Sequence, residues 1–295
     1  MKKTLLSFAA FALTATGLAA ASGPGLLVPA YFSPGDDGLW PKLNAVAEKK
    51  VPLIAIMNPD VGPGDKPDPE YIKATKALQK SGGKVVGYIF TKYGRRNAGH
   101  VMEDITRYFE WYPHIDGIFV DQMPADLSNK KKEPSRYKAE FAKIGGNQKP
   151  KDARKEMTQY YYGIWVHVKA LKSEWMVIGN PGATPDQSFY KEKTADVFVT
   201  FANHDGYDAY KPPSWLKRGS RKTAHLIYDV ASTEDMKKHI AAAKEHGADW
   251  VYVSDDGGGN PWDTLPAYWD EQVAQFSSSS STTKKKRSGF FRRKK

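Results

Sequence analysis

The feature of this sequence that most narrows its fold is an alternation repeated eight times along the chain: a short apolar run, then a segment of helical periodicity or helix-spanning length. The apolar runs fall at residues 26–33, 52–58, 84–91, 115–122, 175–182, 196–203, 224–229 and 250–256, and each is short enough for a strand buried on both faces. Between them, helical spacing predicts helices over 39–50, 68–81, 101–111, 153–173, 232–246 and 265–276, with a short helical turn at 187–193. Local chemistry marks several of these boundaries. Asp68 followed by Pro69 suits a cap and first-turn proline, and Gly82-Gly83 closes that helix. Ser232 and Asp235 have capping-box spacing, with Gly247 at the far end.

Strand-then-helix repetition with connections of this length calls for right-handed parallel crossovers. Eight such units imply an α/β protein of the closed (β/α)8, TIM-type barrel class, as a single domain over residues 22–276. A doubly wound open sheet is the competing architecture, but no Gly-x-Gly-x-x-Gly turn follows the first strand. The Lys-, Pro- and Gly-rich stretch 128–151 is expected to be a long loop, with a short helix at 137–142.

The two ends differ from this body. Lys2-Lys3, an apolar stretch and the small residues up to Ala21 form the layout of a secretory signal over 1–21. The expected location is therefore secreted or cell-surface, extracellular or periplasmic; a retained anchor is disfavoured by the shortness of the apolar part. Residues 277–283 are a Ser/Thr linker, and 284–295, opening at Lys284 and closing at Lys295, form a basic disordered tail. Of the net charge of +11, two charges sit at Lys2-Lys3 and eight in that tail, so the body is nearly neutral and a nucleic-acid partner is not expected. The tail suits contact with an anionic cell surface, weakened by salt, or a solvated end. Absence of cysteine excludes disulfides, thiolate metal sites and a Cys nucleophile.

In a (β/α)8 barrel the chemistry sits where the strands' C-terminal ends meet the following loops. Those ends carry Tyr31 and Asp37, Asn58 and Asp60, Thr91 and Tyr93, Asp121 and Gln122, Asn180, Asn203 with His204 and Asp205, Tyr228 and Asp229, and Asp255 with Asp256. The opposite ends offer few such groups. Asp121 stands out, because the run Ile118-Phe119-Val120 stops at a carboxylate. Each residue alone also suits a loop cap or Asx-turn, above all Asn58, Asp60 and Asn180 beside Pro or Gly. Together, acids and amides suit the hydroxyls of a polyhydroxylated ligand, and aromatic faces such as Trp40 and Trp262, read as exposed, suit its C–H surfaces. Trp165, Trp175 and Trp250 read as packing residues, and His204 as a loop residue. No spacing supports a metal site, a nucleophile elbow or a phosphate loop, so no cofactor is expected.

The segments Asn58-Pro-Asp-Val-Gly-Pro-Gly64, Gly87-Tyr-Ile-Phe-Thr-Lys-Tyr93, Ile115-Asp-Gly-Ile-Phe-Val-Asp121, Asn180-Pro-Gly182, and Asp255-Asp256 leading to Asn260-Pro-Trp262 resemble the spherulation-specific family 4, or spherulin-4-like, proteins. The resemblance runs from about Val28 to Val273. It implies a (β/α)8 glycoside hydrolase acting on galactosamine-containing polysaccharide. Asp121 carries over from the family pattern. An adjacent glutamate is replaced by Gln122, and a further glutamate expected after the sixth strand meets Phe201-Ala202-Asn203.

Glycosidic cleavage ordinarily needs two carboxyl groups, although a 2-acetamido sugar can supply its own nucleophile. Two functions follow as expectations. In one, Asp121 with Asp229 or Asp255 cleaves an amino-sugar polymer, while Tyr31, Asn58, Tyr93, Gln122, Asn180, Asn203, Tyr228, Asp256 and Trp262 hold it. In the other, the same cleft binds polysaccharide without turnover. Adjacent strand residues face opposite ways, so Asp121 and Gln122 share a pocket only if the strand ends between them.

Overall fold

The structure is a computed structural model that describes residues 24–35, 38–127, 150–216 and 222–277. The leader 1–21, Asp37, the short helix expected at 137–142 and the tail lie outside those residues.

Eight parallel strands close into a barrel in sequence order: β1 (Gly25–Ala30), β2 (Leu53–Met57), β3 (Lys84–Phe90), β4 (Gly117–Asp121), β5 (Met176–Gly179), β6 (Val197–Asn203), β7 (Lys222–Ile227) and β8 (Trp250–Val253). The ring closes where Gly25 and Leu26 of β1 pair with Trp250 and Val251 of β8. Around it run α1 (Leu39–Glu48), α2 (Pro69–Ser81), α3 (Ala98–Trp111), α4 (Pro150–Leu171), α5 (Gln187–Lys191), α6 (Thr233–His246) and α7 (Trp269–Ser277). After β6 a 3-10 turn, Tyr207–Ala209, stands in place of a long helix. The (β/α)8 expectation is met, for the reason the alternation gives: every strand is lined by helices or neighbours and buries both faces.

The caps behave as their chemistry requires. The Asp68 carboxylate accepts the backbone N–H groups of Glu70 and Tyr71, and Gly82 ends α2 at φ 100°, open to glycine at no steric cost. Ser232 accepts the Asp235 N–H and Gly247 ends α6 at φ 80°. At the close approach of β4 to β5, a Cβ on Gly117 would collide with the Met176 carbonyl oxygen.

Several boundaries move, among them the start of α4, at Pro150 inside the stretch expected to be loop. Asn97 caps α3 by accepting the Gly99 N–H at 2.8 Å, so that helix starts at Ala98 and not at 101. The last helix starts at Trp269, four residues later than its apolar pattern suggests. Ser277, read as the first linker residue, is the end of α7. Both tryptophans read as exposed change place: Trp262 packs partly buried against the core, and Trp40 is 1% exposed, wedged edge-on against Phe32 and Tyr71, its indole N–H donating to the Phe32 carbonyl at 3.3 Å. It is a core residue of α1 and offers no face to a ligand; truncating such a side chain costs about 3–5 kcal/mol. Trp175 is fully buried, while Trp165 and Trp250 pack partly buried against the core. His225 of β7 is enclosed between the Tyr207 hydroxyl at 2.7 Å and Thr200 at 3.1 Å, and burial pushes its pKa down to about 3.

Candidate active site at the carboxyl ends of the strands

Except for β6, which runs to Asn203, the strands stop earlier than their apolar runs. Tyr31, Asn58, Asn180, Tyr228 and Asp229 follow the last residues of β1, β2, β5 and β7, and Asp255 and Asp256 follow β8. Asp121 is the last residue of β4, and Gln122 beyond it sits at φ 55°, the left-handed region. The strand thus ends between the two residues, the condition under which neighbours escape strict alternation. Among the described residues the Gln122 side chain makes no hydrogen bond.

Asp121 is gripped from both neighbouring strands. Tyr88 of β3 donates its hydroxyl to Oδ2 at 2.8 Å, and Asn180 beyond β5 donates Nδ2 to Oδ1 at 2.7 Å. Register explains the first contact: Tyr88 lies level with Phe119 and Phe90 level with Asp121, so Tyr88 and Asp121 share a face and the phenol reaches up one step. Asn180 is itself fixed, because its Oδ1 accepts the Gly182 N–H at 2.9 Å and leaves only the NH2 to face the carboxylate. Asp121 retains some solvent-accessible surface, yet its carboxyl is embedded deeply enough that burial raises its pKa above the ordinary carboxylate value. Hydrogen bonds from Tyr88, the Gln122 N–H and Asn180 work against that rise. Burial and the Asp121 charge both raise the Tyr88 pKa, so this phenol stays protonated. Tyr31 meets Tyr88 edge-on with ring centroids 5.4 Å apart, and burial followed by the Asp121 charge raises its pKa too.

The far side of the mouth is built differently. Asp255 Oδ2 accepts the Ala267 N–H at 2.9 Å, Asp256 Oδ1 accepts the Gly258 N–H at 3.0 Å, and Asn203 bonds Asp205 and the His204 N–H. Asn58 Oδ1 likewise accepts the Gly62 N–H at 3.0 Å. The Asp256 bond has Asx-turn spacing, and the others stay within four residues except that of Asp255, which reaches 12 residues along its own loop. Asp229 differs: it is exposed, sits at φ 60°, lies against Gly257, and among the described residues its carboxylate has no hydrogen-bond partner. Tyr228 and Trp262 meet edge-on at 5.5 Å, and the Trp262 carbonyl accepts the Tyr31 N–H at 3.2 Å, tying this aromatic corner to β1. Exposed His204 has its ring 5.7 Å from Tyr228. Tyr93 is held through its N–H to the Gln122 carbonyl at 2.7 Å.

Chemically, Asp121 has the properties of a proton carrier. The Asn180 amide can only donate, but the Tyr88 hydroxyl rotates, donating to the carboxylate or accepting from the carboxylic acid. Oδ2 is therefore the oxygen able to hold a proton. No other carboxylate is hydrogen-bonded to Asp121 among the described residues, so the two-acid shared-proton arrangement is not the cause of its raised pKa. Among the same residues no three His, Asp or Glu side chains gather as metal ligands. Tyr88 is the member that strand-end reading overlooks; a tyrosine inside an apolar strand, whose hydroxyl needs a partner, was its signal.

Comparison with known proteins adds a frame. The model of the spherulation-specific family 4 matches residues 25–276. Spherulin-4 of Physarum polycephalum is 31% identical over 193 residues, covering 65% of this chain and 48% of that relative, so the match spans about half of the relative's length. Among solved structures, the crystal structure of Aspergillus clavatus Sph3 in complex with GalNAc superposes with TM-score 0.67 at 21% identity, covering 87% of this chain and 98% of that one. Alpha-L-fucosidase isoenzyme 2 of Paenibacillus thiaminolyticus follows with TM-score 0.58 at 10% identity, covering 85% and 49%. At these identities the structural likenesses show a shared barrel fold.

Proposed function

Because the chain belongs to the spherulation-specific family 4, we propose that it hydrolyses a galactosamine-containing polysaccharide at the carboxyl-end mouth of its barrel, with Asp121 as the main carboxylate. The observation that carries this reading is the setting of Asp121: an embedded carboxyl with a raised pKa on a partly exposed residue, aimed by Tyr88 of β3 and by Asn180, which follows β5. A carboxyl whose pKa burial raises keeps its proton to higher pH than an ordinary carboxylate does, and can give that proton to the leaving glycosidic oxygen. Sph3, bound to GalNAc, supports an amino sugar as the ligand class.

Asp229 is the partner carboxylate in this proposal. Asp255 has one oxygen committed to a backbone N–H, whereas Asp229 faces solvent with both oxygens available to a water or a sugar. A 2-acetamido group on the substrate can take over the nucleophile's part, in which case Asp229 orients it. Tyr228 and Trp262 supply ring surfaces for the sugar's C–H faces, and Tyr31, Tyr93, Gln122 and Asn180 supply polar contacts.

One observation favours a second reading. Gln122 places a neutral amide where the family resemblance implies a glutamate, and an amide cannot serve as an acid. On that reading the cleft binds the polymer and leaves it intact. Incubating the protein with acetylated and deacetylated galactosamine polymers, and measuring bound polymer together with new reducing ends, separates the two. Both signals support hydrolysis, binding without reducing ends at any pH supports the second reading, and neither signal overturns both.

The proposed place of action is the cell exterior or surface, a reading that rests on the sequence of residues 1–21. The eight cations of residues 284–295 would hold the protein to anionic surfaces there. Deleting that segment is expected to lower retention on anionic vesicles at low salt; unchanged retention counts against it.

A further inference from the structure

The peptide that turns the chain at the end of β4 is held by a buried hydroxyl relay that touches neither the Asp121 carboxyl nor the open mouth. Thr91, fully buried at the end of β3, has its Oγ1 3.0 Å from the Asp121 carbonyl oxygen, 2.9 Å from the Gln122 carbonyl oxygen and 2.7 Å from the hydroxyl of Tyr161 on α4. Tyr161 is 1% exposed, and its hydroxyl lies 3.5 Å from the same Gln122 carbonyl. A threonine hydroxyl has one proton. Thr91 can donate that proton to either of the two carbonyl oxygens it faces, and it shares a bond with the Tyr161 hydroxyl in which either oxygen can be the donor. The relay joins Tyr161 and Thr91 to the Asp121 and Gln122 carbonyls.

Its surroundings show that the turn needs holding. Lys92, Tyr93 and Gln122 adopt φ values of 49°, 59° and 55°, a region that side-chain-bearing residues visit at a cost of order 1–3 kcal/mol each. The Thr91 and Tyr93 N–H groups donate to the Asp121 and Gln122 carbonyls at 3.1 and 2.7 Å, so the two left-handed turns, one after β3 and one after β4, face each other and share acceptors. From outside, Tyr160 of α4 donates to the Arg96 carbonyl at 2.8 Å. Arg96 lies 4.5 Å from the centre of the Phe90 ring and pairs with Asp104 at 2.6 Å. Gly94 is seated so tightly on α4 that a Cβ there would collide with Met157.

We infer that Thr91 and Tyr161 are positioning residues for the proposed reaction: they clamp the strained peptide between Asp121 and Gln122, and thereby set the angle at which the Asp121 carboxyl meets the sugar and the depth at which it is buried. The inference rests on the proposed role of Asp121, yet the clamp has a readout that does not need turnover. Loosening the peptide hydrates the carboxyl, and because burial is the leading cause of its raised pKa, that pKa falls.

The test compares wild type with Thr91→Val, Thr91→Ser and Tyr161→Phe. Folding is checked by circular dichroism, the Asp121 pKa is followed by carbon-13 NMR of its carboxyl, and kcat and KM are measured on a galactosamine polymer. Thr91→Val, nearly isosteric, is expected to lower the Asp121 pKa and reduce kcat by about 10²-fold with KM little changed, the loss that misplacement by an ångström can bring. Thr91→Ser restores both. Tyr161→Phe, which removes one hydroxyl and keeps the ring packing, is expected to shift both readouts in the same direction by less, and decides the matter should Thr91→Val fail to fold. A folded Thr91→Val or Tyr161→Phe protein with the wild-type Asp121 pKa overturns the clamp. If wild type shows no turnover, hydrolysis falls while the titration still decides whether the clamp exists.

Discussion

The two halves of the barrel mouth use similar residues to different ends. On the β3–β5 side the polar groups reach between strands: Tyr88 and Asn180 both bond Asp121, and Thr91 bonds the backbone next to it. On the β6–β8 side they fold back onto their own loops, Asn203 onto Asp205, Asp256 onto Gly258 and Asp255 onto Ala267. The difference separates a carboxylate held from distant sequence positions, the one given the main part in the proposed reaction, from carboxylates that hold a loop in shape. Only the first kind spends hydrogen bonds from distant sequence positions on one group. Asp229 belongs to neither set, being exposed and without a hydrogen-bond partner for its carboxylate among the described residues, and in the proposed reaction it is the group through which the second half would take part.

The comparison breaks most directly at Asp121. Asp121→Asn is expected to lower release of reducing ends by about 10³-fold or more while polymer binding survives, since an amide keeps the shape and loses the proton. Asp229→Asn comes next, with an expected loss of about 10²-fold; unchanged turnover there would confine the chemistry to one half of the mouth. Asn180→Ala is expected to cost about tenfold in kcat. It removes a donor that favours the charged form, so the Asp121 pKa rises further and the alkaline limb of the pH profile moves to higher pH. That limb exists because an acid acting through its proton loses activity as pH climbs past its pKa. The smallest change belongs to Asp255→Ala. It loses a bond to a backbone N–H and is expected to cost about 1 kcal/mol in thermal unfolding, or roughly 2–4 °C, with turnover unaltered. A large fall in turnover at Asp255 would erase the distinction between the halves.

Much of the scaffold was readable in the sequence because its signals are local. Apolar runs bounded by Gly and Pro gave the strands, and Asp68, Gly82, Ser232 and Gly247 set helix ends through bonds within a few residues. Asp121 was readable for a related reason, as a charge that closes an apolar strand. What escaped depends on ring closure and register. That Tyr88 serves Asp121 follows only once β3 is aligned on β4, and that Tyr161 serves Thr91 only once α4 is docked, a separation of 70 residues. Trp40 was misread because a Trp near a strand end looks like a ligand platform until the helix carrying it turns the ring inward. Asp255 and Asp256 look alike in sequence, yet one caps a neighbour and the other a backbone group 12 residues away.

The pairing of Gly25 and Leu26 with Trp250 and Val251 has a consequence for how the chain is made. Until the last strand has left the ribosome, the first has one bare flank, and an apolar edge of this kind invites neighbours in a polysome to pair with it. A nascent chain halted before residue 250 is therefore expected to be sticky, and chaperone demand should fall abruptly as the final strand emerges.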